Sequence, residues 1–371
     1  MKILFIAPLP LPINGQSKAS KVLLDKLIYD KHNVKVINLS KNSLKNGFNS
    51  LNRVFDIFSV LFKVWKKRKN NDIIYLSLAE SFFGNLRDLF VYVICYNSRH
   101  KIFIHMLGGA GMKKILEGNG VQQKINSFFI NEIAGVIVEG TVNFEVFSKV
   151  INEKKIHIVQ NFAEDFLFVN NEEIKAKFSD KQSIQILYLS NLIPGKGYDE
   201  LADAYIELEE AFKKQVNIVF VGGFESQESE NEFLIKIKTH NGLNYIGKFI
   251  DGEKKRELYC QSHVFCLPTY YPFEGQPISI LEAYATGCVV ITSNHSGIPF
   301  IFADKKNGFM VKKKSIESIK KAIEDVLGYK NQLEEIALNN RNEALGKYRT
   351  SIYQGAIVQI FNDFYKNKFL K

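Results

Sequence analysis

Short β-branched runs alternate with helical patterns along almost the whole chain. KILFIA (2–7), NVKVINL (33–39), DIIYLSL (72–78), KIFIHM (101–106), GVIVEG (135–140) and IHIVQN (156–161) form a first set. Apolar runs of this length, separated by helix-length stretches, predict strands of a parallel sheet joined by helical crossovers. A charged stretch, NNEEIKAKFSDKQS (170–183), reads as weakly structured and interrupts the rhythm. The alternation then resumes with IQILYLS (184–190), NIVFVGG (217–223), LNYIG (243–247), VFCLPT (264–269), CVVITS (288–293) and GFMVKK (308–313). The pattern predicts an α/β chain of two successive domains, 1–165 and 180–349, with the seam near 162–183. Ligands of open α/β sheets bind outside the carboxyl ends of the strands, so two such domains facing each other would form a cleft. The closing segment TSIYQGAIVQIFNDFYKNKFLK (350–371) is apolar at helical spacing and rich in aromatics, which predicts a docked helix and not a loose tail.

Composition narrows this picture in three ways. A length of 371 residues exceeds what one hydrophobic core usually organises, and 46% hydrophobic with 24% charged residues is an ordinary globular balance. The formal net charge of +10 attracts anions, whether nucleic acid, acidic lipid or phosphorylated metabolites. No nucleic-acid module is visible and the basic residues cluster beside an aromatic helix, so nucleic acid is set aside. Cys95, Cys260, Cys266 and Cys288 form no C-x-x-C pair, which implies reduced thiols in a cytoplasm. The opening MKILFIAPLPLP is interrupted by Pro8, Pro10 and Pro12 and reads as a first strand, not a signal peptide. LFVYVICY (89–96), the longest apolar run elsewhere, falls far short of the roughly 18–20 residues that span a bilayer. The expectation is a cytoplasmic protein that is soluble or lies on the inner face of the membrane.

Four stretches carry candidate chemistry. In YYPFEGQPISILEAYATG (270–287) a helix begins at Pro277, just after Glu274 and Gly275, and carries Glu282 one turn beyond Ile278. Proline suits a first helical turn, the helix end attracts phosphate, and glycine lets a ligand approach the backbone. A nucleotide diphosphate on the helix end would leave its ribose within reach of Glu282, with Glu274 facing what the diphosphate carries. Two glutamates also suit a retaining hydrolase, or an ordinary solvated loop and helix. In LYLSNLIPGKGYDELADAY (187–205) Lys196 sits between two glycines at a strand-to-helix turn, where an ammonium can neutralise phosphate or the segment can be a plain turn. PLPLPINGQSKAS (8–20) places Gly15 and Gln16 ahead of a helix over 18–28, without a G-x-G-x-x-G fingerprint. IHMLGGAGM (104–112) ends a strand at His105, as a packing residue or a catalyst. D-x-D, H-E-x-x-H, G-x-S-x-G and Walker A patterns are absent, so metal-dependent phosphate chemistry has no visible seat.

Taken together, EGQPISILEAYATGCVVITSNHSGIP, SNLIPGKG, NFAED (161–165) and INGQSKAS resemble, in the same order, the landmarks of the retaining glycosyltransferases of family four. The resemblance covers roughly residues 2–365 and implies the GT-B fold: two Rossmann-like domains across a cleft, with the last helix crossing back to the first. It implies a retaining, metal-independent transferase that binds a nucleotide-sugar, a UDP-sugar ahead of a GDP-sugar, and holds no permanent cofactor. The acceptor it implies is a glycan or a polyprenyl-linked sugar of bacterial surface polysaccharide assembly. By the same resemblance Glu274 lies near the donor sugar, Glu282 on the ribose and Lys196 on the diphosphate. Gly275, Gln276, Pro277 and Ile278 then line sugar and phosphate, although Pro277 has no amide to give. Three positions depart from the pattern: Asn191 replaces a diphosphate-binding arginine, Leu107 stands where histidine is common, and Phe300 replaces an acidic residue. A GT-B epimerase, a phosphorylase and a non-catalytic sugar-nucleotide or membrane scaffold are the alternatives.

One further segment bears on the acceptor. LNRVFDIFSVLFKVWKKRKNN (51–71) mixes Phe55, Phe58, Leu61, Phe62 and Trp65 with Lys63, Lys66, Lys67, Arg68 and Lys69, the pattern of an interfacial helix. It also fits a helix of the first domain whose apolar side is core. On the first reading the chain makes peripheral membrane contact, weakened by salt.

Overall fold

The computed structural model describes residues 1–11, 13–40, 50–179, 183–247 and 250–367. Pro12 of the opening run and residues 368–371 of the closing one lie outside the described residues. The strands are β1 Lys2–Ala7, β2 Asn33–Asn38, β3 Ile73–Ser77, β4 Ile102–Met106, β5 Gly135–Val138, β6 Ile156–Ile158, β7 Ile184–Leu189, β8 Val216–Val221, β9 Leu243–Tyr245, β10 Val264–Leu267, β11 Val289–Ser293 and β12 Gly308–Val311. They form two six-stranded sheets, ordered β2-β1-β3-β4-β5-β6 and β9-β8-β7-β10-β11-β12. Every adjacent pair is parallel. The chain divides into two units, Met1–Asn161 with Ser351–Lys371, and Phe162–Thr350.

Both faces of each sheet are covered, which is why the central strands read as continuous apolar runs and not as alternation. In the first unit Leu4, Ile6, Ile74, Leu76, Ile104 and Val138 share a core with Val64, Tyr92, Phe129 and Phe147. Phe5, Tyr75, Phe103 and His105 occupy the alternate positions and point to the opposite face. That face receives the helix Thr350–Asn367: Phe361 lies 5.3 Å from Phe103 and 6.3 Å from Tyr75, ring centre to ring centre. Gln354 Nε2 donates to Val22 O at 2.8 Å on the helix Gly15–Tyr29. Tyr353, Phe361 and Phe364 therefore pack into a core, and the helix is fixed to the first unit.

The stretch 170–183 differs from its reading. Asn171–Lys177 is a helix, opened by a reciprocal cap between Asn170 and Glu173. Glu172 and Lys175 face water, Ile174 is buried, and Lys177 Nζ donates to the carbonyls of Tyr259, Thr286 and Gly287. A capping box, the buried Ile174 and the carbonyl-bound Lys177 hold a short helix that composition alone would leave as coil. Among the described residues no helix is long and apolar enough to cross a membrane.

Candidate active site

The order of the second sheet reverses between β7 and β10, the position at which open α/β sheets bind ligands outside the carboxyl ends of their strands. Lys196 lies on the first loop, after β7, and Glu274 on the second, after β10. Their approach depends on glycine: Gly195 and Gly197 have φ of +93° and +80°, conformations that side-chain-bearing residues rarely adopt. A Cβ on Gly197 would lie 2.5 Å from Pro268 O, so the two loops touch backbone to backbone. Tyr270 N donates to Gly195 O at 2.7 Å and fastens them. Across this junction Lys196 Nζ meets Glu274 Oε2 at 2.7 Å, with side-chain exposures of 13% and 8%. Thr269 Oγ1 donates to the same carboxylate oxygen at 2.9 Å. The ammonium also lies 5.0 Å from the centre of the Tyr271 ring. Asn191, exposed on the β7 loop, accepts from Tyr188 Oη through its carbonyl at 3.2 Å.

The SNHSGIP stretch braces the second loop from below. Ser293 Oγ donates to Thr269 O and Ser296 Oγ to Glu274 O. His295 Nε2 lies 2.7 Å from Tyr271 O. A Cβ on Gly297 would sit 2.7 Å from Gly275 O, so this glycine lets the two segments close. The helix that follows runs Ile278–Ala285, with Pro277 as its N-cap and not within its first turn, a shift of one residue from the expectation. No side-chain cap occupies this N-terminus and its first turn carries no acid, which keeps its positive end suited to an anion. Gln276 and Ile278 are buried against it and Gly275 is half-buried.

Glu282 is buried on that helix and has partners that the linear pattern did not disclose. Its Oε1 receives Lys255 Nζ at 2.9 Å and its Oε2 receives Tyr259 Oη at 3.2 Å. Lys255 also reaches Glu164 at 2.7 Å and Asp251 at 3.5 Å, while being 2% exposed itself. Glu164 belongs to the NFAED stretch, which thereby acquires a physical role. Lys255 lies in DGEKKRELYC (251–260), a run that reads as a solvated helix. Its only local signal is the spacing of four to Asp251 and to Tyr259.

The remaining expected site residues, Gly15, Gln16 and His105, belong to the first unit. Gly15 opens the helix Gly15–Tyr29 three residues earlier than expected, and the Asn14 side chain already caps its Ser17 N–H. Gln16 Nε2 donates to Ser77 Oγ and Leu78 O, both at 2.9 Å, tying the helix to the end of β3 at the point where the first sheet reverses order. His105 is a correction. Its exposure is 0%, its Nδ1 lies 2.7 Å from Tyr75 Oη, and its ring stacks on Tyr353 of the last helix. An imidazole with no accessible surface has nothing to offer a sugar; it is a core residue.

Burial pushes the His105 pKa down to about 3, against 6.5 for an unhindered imidazole. The folded state therefore keeps the ring neutral while the unfolded chain protonates it below about pH 6.5. Stability from this group is complete above that pH and is lost as pH falls toward 3, by about 1.4 kcal/mol per pH unit. In denaturant titrations between pH 4 and 7, His105→Gln is expected to flatten the slope by that amount. An unchanged slope would contradict the buried neutral assignment.

Residues 169–343 match the family model described as Glycosyl transferases group 1. This segment belongs to that family. The chain is 27% identical over 190 residues to the Campylobacter jejuni N,N'-diacetylbacillosaminyl-diphospho-undecaprenol alpha-1,3-N-acetylgalactosaminyltransferase, covering 51% of this chain and 46% of that protein. It is 24% identical over 201 residues to the capsular polysaccharide biosynthesis glycosyltransferase CapM of Staphylococcus aureus, covering 53% and 51%. The chain spans about half the length of the curated relatives it matches. Its fold is that of sucrose-phosphate synthase from Thermosynechococcus elongatus, with a TM-score of 0.77, 15% identity and coverage of 99% and 100%. It is equally that of Anabaena HepE solved with UDP and glucose, with a TM-score of 0.72, 16% identity and coverage of 98% and 100%. The architecture is GT-B.

Proposed function

We propose that the chain is a retaining glycosyltransferase that moves a sugar from a nucleotide-sugar, a UDP-sugar ahead of a GDP-sugar, to a polyprenyl-linked or glycan acceptor of surface polysaccharide assembly. The observation that carries this reading is the Lys196–Glu274 pair at the switch point of the second sheet, beside the uncapped N-terminus of the group 1 helix. An arriving diphosphate would take the ammonium from Glu274 and lie against the helix end. This turns Glu274 toward the sugar hydroxyls. Charge that develops on the departing diphosphate is then met by an ammonium and amides already in place, the preorganised electrostatics that lower such barriers. Glu282, held by Lys255 and Tyr259, would receive the ribose. Retention and metal independence are carried over from the glutamate motif. The acceptor class is supported by the diphospho-undecaprenol and capsular names of the relatives, and such an acceptor would be met at the inner face of the cytoplasmic membrane.

The test is thermal unfolding with UDP-, GDP- and ADP-sugars. A ligand present at 100 times its dissociation constant stabilises the native state by about 2.7 kcal/mol. A UDP-sugar is expected to raise the midpoint most. If every nucleotide leaves it unmoved, the donor site is misassigned.

A further inference from the structure

Three neighbouring helices of the first unit turn apolar side chains outward. Right-handed crossovers put Ser50–Lys67, Phe82–Ile94 and Val121–Asn131 on one face of the first sheet, and each packs against the next. On the first helix Val60, Leu61 and Val64 pack inward, whereas Phe55, Phe58, Phe62 and Trp65 form an exposed stripe on the opposite side. Of the five apolar residues expected there, Leu61 alone packs against the core, half-buried. The second helix repeats the arrangement, with Leu89, Val91 and Tyr92 buried and Phe82, Phe83, Leu86, Phe90 and Val93 exposed. The third buries Phe129 and Ile130 and exposes Val121, Ile125 and Phe128. Adjoining apolar stripes on this scale mark an interaction surface.

The charge around the stripes is mostly positive, with Asp56 an exposed acid beside Phe55. Lys63, Lys66, Lys69 and Lys124 are exposed, and the Arg68 guanidinium lies 5.1 Å from the centre of the Trp65 ring. The acids in these three helices are Asp56 and Asp88, and Asp88 is buried and paired with Arg87 at 2.7 Å. A second copy placed on this face by a two-fold axis would bring the lysines against their own images. An anionic bilayer matches both the charge and the aromatic stripes.

We propose that this three-helix face inserts into the headgroup and acyl boundary of an anionic membrane, with Trp65 and the phenylalanines entering and the lysines meeting lipid phosphate. The inference rests on the proposed function for what the contact serves, namely delivery of a lipid-linked acceptor. It also goes beyond a purely electrostatic contact: part of the binding resists salt.

Trp65 is the single tryptophan of the chain and 53% exposed, so its emission reports on this face directly. Full-length protein is titrated with vesicles of phosphatidylcholine, and of phosphatidylcholine with phosphatidylglycerol, at low and high salt, without nucleotide or acceptor. A blue shift, quenching by brominated acyl chains and partial survival in high salt are expected with the anionic vesicles. Phe58→Ser/Phe90→Ser should lower partitioning by at least about 10-fold, and Lys66→Glu/Lys69→Glu should remove the preference for anionic lipid. Emission unchanged by every vesicle overturns the proposal. So does vesicle-independent self-association abolished by the phenylalanine pair, which assigns the face to a second copy. Because no donor is present, either failure leaves the nucleotide-binding test standing, and failure of that test leaves this one standing.

Discussion

Lys196→Ala is expected to lower turnover on the order of 10²–10³-fold with donor and acceptor saturating, because on the proposed reading it removes a principal contact to the charge that builds on the leaving diphosphate. The geometry makes the expectation specific. Lys196 is held within 2.7 Å of Glu274 by a glycine-flanked turn with two positive φ angles. An alanine leaves the turn intact and removes the ammonium together with its methylene stem. Glu274→Ala should cost a similar factor. The double variant should lose much less than the product of the two, since groups that act on one another are not additive. Near-normal turnover in both single variants would remove the pair from the reaction. Midpoints of unfolding measured in parallel separate this from damage to the fold, because Thr269 still satisfies Glu274 in Lys196→Ala.

Much of this site was legible in the linear chain, for reasons that are local. A strand, a tight glycine turn and a helix are each marked by adjacent residues, and both Lys196 and Glu274 stand in such turns. What linear reading could not supply was the order of the strands. The meeting of the two loops follows from the neighbouring of β7 and β10, which no local pattern encodes. His105 shows the opposite error. Its place at a strand end suggested a site, while its parity with Phe103 put it on the face that the last helix covers, a fact visible only once that helix was docked. The stripe from Phe55 to Trp65 is a third case. Apolar residues at helical spacing look alike whether they face a core or the outside, and only burial distinguishes them.

Lys255 was the least legible of all, and it carries the second large expectation. An ammonium 2% exposed between Glu282 and Glu164 is a buried ion pair, and such pairs behave asymmetrically. Removing one partner strands the other charge in the interior and typically costs 3–5 kcal/mol. Lys255→Met is therefore expected to destabilise the chain by about 3–5 kcal/mol in denaturant titrations. It is also expected to blunt the midpoint rise produced by a UDP-sugar, because the Glu282 carboxylate loses the ammonium that fixes its direction. The rescue is the sharper measurement. Lys255→Met/Glu282→Gln removes the two most buried charges, leaves Glu164 at the more exposed side of the cluster and an amide oxygen to accept from Tyr259, and should recover most of the lost stability without recovering nucleotide binding. Stability and binding that return together would mean that Glu282 serves the fold alone. A loss below about 1 kcal/mol in Lys255→Met, the value of an exposed pair, would mean that water reaches the ammonium.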